Sequence, residues 1–121
     1  MNTNIDKKQL ESILAIDFEQ MHELVLEVFQ SVNSSTQQLK LLSASSATFQ
    51  DNKEQISFLA HAARGETANF GLLSLNRLYS NLEDNLASLS YSEITDLTTS
   101  ITKTLEETKE EYTSNFTLDA K

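Results

Sequence analysis

The stretch SYSEITDLTTSITKTLEETKEEY, Ser90 to Tyr112, decides the fold. Ser90 followed three residues later by Glu93 is the capping-box spacing, in which each residue satisfies the other's free backbone N–H at a helix start. Behind it Ile94, Leu97, Ile101, Leu105, Thr108 and Tyr112 recur every three or four residues, the signature of one helical face. A helix gains most of its stability by burying such a face. The rest of the chain should therefore supply further amphipathic helices to cover it.

It does. Immediately upstream, Leu72, Leu75, Tyr79, Leu82 and Leu86 form a second stripe at the same spacing. Asp51 with Glu54 has the cap spacing again and predicts a helix carrying Ile56, Leu59, Ala63, Thr67 and Phe70 on one side. Asn69 and Gly71 then mark a break or tight turn. Further back, Asp17 reads as an N-cap with Gln20 in the capping-box position, and Ile16 and Met21 are spaced for a hydrophobic staple. Phe18, Met21, Val25, Val28, Val32 and Leu39, flanked by Leu24 and Leu42, predict a long helix ending near Ser43 to Ser46. Its centre, Ser31 to Gln38, is rich in serine, threonine and glutamine and must lean on tertiary packing. Leu10, Ile13 and Leu14 suit a short helix over about 6–16. The expectation is an all-α fold, an antiparallel up-down four-helix bundle with a short extra N-terminal helix. It is one domain over 1–121, with a helical extension over 1–16, the bundle over 17–117 and a frayed tail over 118–121. Fraying is expected from Asn115 onward.

Composition narrows the function. The 121 residues carry no proline, no cysteine and two glycines, which leaves too little turn punctuation for a β-rich fold and excludes disulfides and thiolate metal sites. Eighteen acidic against nine basic residues give a net charge of −9, which disfavours nucleic-acid phosphates and anionic membrane surfaces as partners. Met1 to Asp6 lacks the basic and apolar parts of a signal peptide, and no apolar run nears a membrane span. A cytoplasmic monomer is expected, and the starting methionine and the length favour a free-standing protein.

Chemistry concentrates in Leu59 to Gly71, LAHAARGETANFG. At about 100° per residue, Ala68 lies about 20° from His61, Ser57 and Gly65 about 40°, and Arg64 and Phe58 about 60° to either side. Ile56, Leu59, Ala63 and Phe70 fall on the opposite face, so His61 should point outward. A glycine inside a helix costs about 1 kcal/mol relative to alanine, which suggests that something approaches His61 closely. A neutral imidazole is a competent nucleophile, and a phosphoryl group placed on it would be an anion beside the Arg64 guanidinium. Ser57, Phe58, Arg64, Gly65 and Ala68, with Glu54 and part of the helix that carries the Leu72 to Leu86 stripe, would form the docking surface. Phe58 would be exposed there unless it folds back on a neighbouring helix.

At these residues the chain resembles the histidine-containing phosphotransfer family. That family's signature is a histidine, a variable residue, leucine, lysine and glycine, then small residues and a closing glycine. His61, Gly65, Thr67, Ala68, Asn69, Phe70 and Gly71 match in place, Arg64 stands for the lysine, and Leu82-Glu83 sits where the family carries a leucine–glutamate pair. Ala63 replaces a frequent leucine, which should loosen the packing. Glu66 replaces a small residue about 140° from His61, near the core edge, where it needs a partner or must reach solvent. The resemblance covers about 60–83 and implies a phosphorelay carrier. His61 (phosphorylated) takes the group from an aspartyl phosphate on a receiver domain and passes it to another, with Arg64 supporting charge and Gly65 giving clearance. Attack by Nε2 is implied, as are response-regulator receivers or a hybrid sensor histidine kinase as partners. The carrier needs no cofactor, and Mg²⁺ belongs to the partner receiver. There is no glycine-rich ATP loop, so self-phosphorylation from ATP is not expected.

Two other readings compete. Glu19-Gln20-Met21-His22 is a Glu-x-x-His half-motif of di-iron bundles, but Phe58 stands three before His61, so the second half is missing and no metal is expected. An acidic helical adaptor or chaperone would use the same amphipathic helices and give His61 no task.

Overall fold

A helix begins where side-chain oxygens meet the free N–H groups of its first turn. In the computed structural model, which describes residues 4–116, Asp6 accepts from the Gln9 N–H ahead of α1 (Lys7–Leu14). Asp17 accepts from the Gln20 N–H ahead of α2 (Phe18–Leu42). At the start of α6 (Tyr91–Phe116), the Ser90 N–H donates to Glu93 Oε1 at 2.8 Å and the Glu93 N–H to Ser90 Oγ at 3.0 Å. The Ser90 backbone N–H first, and then its hydroxyl, hold the Glu93 carboxyl below its usual range.

Other signals turn out differently. Ile16 is 75% exposed, so it closes no staple over the Asp17 cap. Asp51 is not an N-cap but the last residue of a short α3 (Ser46–Asp51), capped by Ser45 through the Thr48 N–H at 3.1 Å and anchored by fully buried Phe49. Six residues are too few to display a period, which hid this helix in the sequence. After it, α4 (Lys53–Asn69) starts at Asn52 without a side-chain cap bond. The described residues thus form six α-helices, one 3₁₀ turn (Leu86–Ser88) and no strand. At the far end, α6 continues through Asn115 to buried Phe116, so fraying does not begin at Asn115. The expected tail over 118–121 lies outside the described residues.

The apolar stripes meet in one core, with α4 packed on α2 and α5 (Leu73–Asn85), and α6 packed on the same two helices. Both ends of the α2–α6 contact carry a tie: His22 meets Tyr112, and the Tyr91 hydroxyl donates to the Ala44 carbonyl at 3.0 Å. The weak centre of α2 is held from outside, as its composition requires. Thr36 donates to the Val32 carbonyl at 2.8 Å, so it accepts from the Tyr79 hydroxyl of α5, also at 2.8 Å. Burial pushes Tyr79 up to about 12 against the opposing pull of that bond, and the phenol stays protonated as the donor.

The α4–α5 turn fixes where α4 stops. The Leu72 N–H reaches the Thr67 carbonyl at 2.9 Å and the Gly71 N–H reaches Ala68 at 3.3 Å, the Schellman pattern, with Gly71 at φ +69°. The N-terminal segment then closes over it. Asp6 N–H donates to the Gly71 carbonyl at 2.7 Å, and Gln9 Nε2 to the Ala68 and Asn69 carbonyls at 2.9 and 3.2 Å. A Cβ on Gly71 would lie 3.2 Å from both Asp6 Cβ and Gln9 Oε1 and 3.3 Å from the Asp6 carbonyl oxygen. Gly71→Ala should therefore destabilise the protein by about 1–2 kcal/mol, from the left-handed backbone and this crowding together. A urea titration reads the effect as a lower midpoint at unchanged slope.

Candidate functional site

The buried residues of α4, Ile56, Leu59, Ala60, Ala63 and Thr67, determine what its other side presents. His61, Gly65 and Ala68 are exposed, and Ser57 and Arg64 are half-buried. Phe58 is 71% exposed and does not fold back. Phe70 is only partly buried against the core, and Glu54 is exposed. Ala63 is fully buried, and half-buried Glu66, expected to need a partner, accepts from the Ser31 hydroxyl of α2 at 2.9 Å.

The His61 side chain is 76% exposed, yet one of its ring nitrogens is tied down. Nδ1 lies 2.8 Å from Oε2 of Glu83, on α5. An ionised carboxylate only accepts hydrogen bonds, so Nδ1 is the donor and carries the proton. In the neutral ring the lone pair is then on Nε2. Glu83 is suited to this. Its partial burial would raise its carboxyl, but hydrogen bonds from Arg64 and then from His61 outweigh that and hold it below the usual range.

Arg64 is not the isolated cation that its position in the sequence suggests. One guanidinium nitrogen donates both to Glu83 Oε1 at 3.1 Å and to Asp84 Oδ1 at 3.0 Å. These bonds, Glu83 first and Asp84 second, raise the guanidinium further above its usual value. Its backbone is fixed as well, because Asn76 Nδ2 of α5 donates to the Arg64 carbonyl at 2.9 Å. The α5 side of His61 is therefore a charged cluster of one arginine and two carboxylates.

The α2 side is of opposite character. Between α2 and α4 lies an open groove of about 540 Å³, whose walls include Ser35, Gln38, Leu41, Leu42, Phe58 and Ala62 and no charged side chain. Between these two sides, Gly65 leaves a gap. A Cβ placed there would find no described heavy atom within 4 Å beyond its own turn of helix and its chain neighbours. Among the described residues no contact requires that glycine.

Sequence reasoning placed His61, Arg64, Gly65, Ala68, Ser57 and Phe58 on one face, and the structure brings them together there. It did not foresee that Glu83 holds the imidazole, nor that Asp84 and Asn76 hold Arg64. The signals available were the Leu82-Glu83 pair that enters the resemblance and the place of Glu83 beside core-facing Leu82, at the edge of the α5 stripe. The second histidine sits elsewhere: His22 Nδ1 is 2.6 Å from the Tyr112 hydroxyl, and its ring lies nearly parallel to those of Phe18 and Tyr112, with centroids 5.3 and 5.6 Å away. Among the described residues no group of three or more histidine, aspartate and glutamate side chains could hold a metal ion, and no helix is long and apolar enough to cross a membrane. No protein-family model, curated protein or solved structure matches the chain.

Proposed function

We propose that the protein is a histidine phosphotransfer carrier of a two-component phosphorelay, with α2, α4, α5 and α6 forming the antiparallel four-helix bundle of that family. The observation that carries this reading is the Nδ1–Glu83 bond, which leaves a lone pair on Nε2 of a solvent-facing histidine. In the proposed step, Nε2 attacks the phosphorus of a receiver's aspartyl phosphate. The Nε2–P bond forms as the P–O bond breaks, and the aspartate leaves with the electron pair. Nδ1 keeps its proton, and the positive charge that develops on the ring is compensated by the Glu83 carboxylate. Transfer to a second receiver runs the same step backwards. Such chemistry needs positioning and charge compensation more than covalent help from the protein. The receiver would supply its own Mg²⁺.

Glu83 then acts as a positioning residue. A neutral hydrogen bond is roughly half as strong as a charge-assisted one, so Glu83→Gln should slow phosphoryl uptake by about five- to tenfold. Glu83→Asp, which keeps the charge, should recover part of the rate. Rapid-quench transfer from a phosphorylated receiver measures both. The test of the whole reading is incubation with phosphorylated receivers, which should place an acid-labile, base-stable label on His61.

One observation favours a second reading, an acidic helical adaptor. The uncharged groove beside Phe58 and Leu41, both more than 70% exposed, would suit a partner's apolar segment. This reading leaves His61 without a task and predicts no label with any receiver.

A further inference from the structure

We propose that Asp84 sets how readily the site releases its phosphoryl group, by competing with that group for Arg64. The inference rests on the phosphotransfer reading and concerns regulation of the same site.

Both carboxylates share a single nitrogen of Arg64, Glu83 at 3.1 Å and Asp84 at 3.0 Å. They are not equivalent. The second oxygen of Glu83 holds His61 Nδ1, so Glu83 serves the imidazole whether or not Nε2 is phosphorylated. The Asp84 side chain, 60% exposed, makes its ion pair with Arg64 and has no bond to the imidazole. Beside a neutral His61, the cluster carries one positive and two negative charges. A phosphoryl group on Nε2 adds about −1.5 to −2 at pH 7, while the positive charge of the ring that carries it is already matched by Glu83. If Arg64 turns to that group, Asp84 is left unpaired next to a new anion. If Arg64 stays, the phosphoryl group keeps less compensation. Either arrangement disfavours phosphohistidine relative to the free histidine, and a neutral residue at 84 would not. Asp84 thereby makes the carrier a better donor and a poorer reservoir.

The test uses phosphoramidate as the donor, which needs no receiver. Its nitrogen is protonated at neutral pH, so the P–N bond breaks as the Nε2–P bond forms and the nitrogen departs with the bonding pair as ammonia. The donor concentration is set so that about half of the wild-type protein is phosphorylated, and the fraction is read by phosphorus NMR. Exposed ion pairs are weak, so Asp84→Asn should raise the ratio of phosphorylated to free protein about threefold. Asp84→Glu should restore the wild-type ratio. The difference should shrink in 1 M salt, where the screening length falls to about 3 Å, whereas a packing effect would persist. An equal or lower ratio in Asp84→Asn, with wild type labelled normally, overturns this inference and leaves the phosphotransfer reading standing. Wild type that takes no label at His61 overturns both.

Discussion

His61→Gln should abolish the acid-labile, base-stable label that the wild-type protein takes from a phosphorylated receiver. The size of the effect follows from the chemistry, since glutamine has no nucleophilic lone pair on nitrogen and no other group on this face of α4 replaces it. Stability should barely change. The side chain is largely exposed, and surface substitutions usually fall within about 0.5 kcal/mol. Thermal unfolding of the variant therefore serves as the control: a normal midpoint with no label assigns the loss to chemistry. His22 is an internal comparison, being the protein's other histidine, half-buried with Nδ1 at the Tyr112 hydroxyl. Label persisting in His61→Gln would place the reactive group elsewhere and end the proposal for this site. Absence of label on wild type with every receiver of the source cell would favour the adaptor.

What the sequence revealed about the fold was what repeats. The Leu72 to Leu86 stripe and the Ile94 to Tyr112 stripe are buried residue by residue, because a long helix against one core leaves no other arrangement for its apolar side. What it hid was short or contingent. The α3 helix is too brief to show a period, and the exposure of Ile16 depends on how α1 turns into α2. The clamp of the Asp6 N–H and the Gln9 side chain on the α4–α5 turn joins residues about sixty positions apart through backbone carbonyls, which no side-chain periodicity encodes.

The candidate site divides in the same way. Which residues share the His61 face followed from helical angle alone, because all lie on α4. The state of that histidine depends on Glu83, 22 residues away on another helix, and needed the packing of α4 on α5 to become visible. Arg64 shows the limit most clearly. Its charge was legible, but its engagement by two carboxylates was not.

Gly65 offers the other large effect, and it separates folding from function. In a helix interior, glycine should persist only if its missing side chain is used. Within the described chain it is not used, since an added Cβ meets no described heavy atom within 4 Å beyond its local helix and chain neighbours. Gly65→Ala should therefore stabilise the protein by about 0.5–1 kcal/mol, through helix propensity and a less flexible unfolded chain. Gly65→Gln should be nearly as well folded, because glutamine is a good helix former on an exposed face. Its side chain, one turn from His61, would stand where a receiver must bring its aspartyl phosphate within in-line distance of Nε2. Displacing reacting atoms by about 1 Å can cost on the order of 100-fold, so receiver-dependent transfer should fall at least that far. Phosphoramidate, being small, should still label His61 in Gly65→Gln. That contrast distinguishes a blocked docking surface from a damaged nucleophile. Transfer from the receiver at the wild-type rate would mean that no partner comes close at Gly65, and the glycine would then need another explanation.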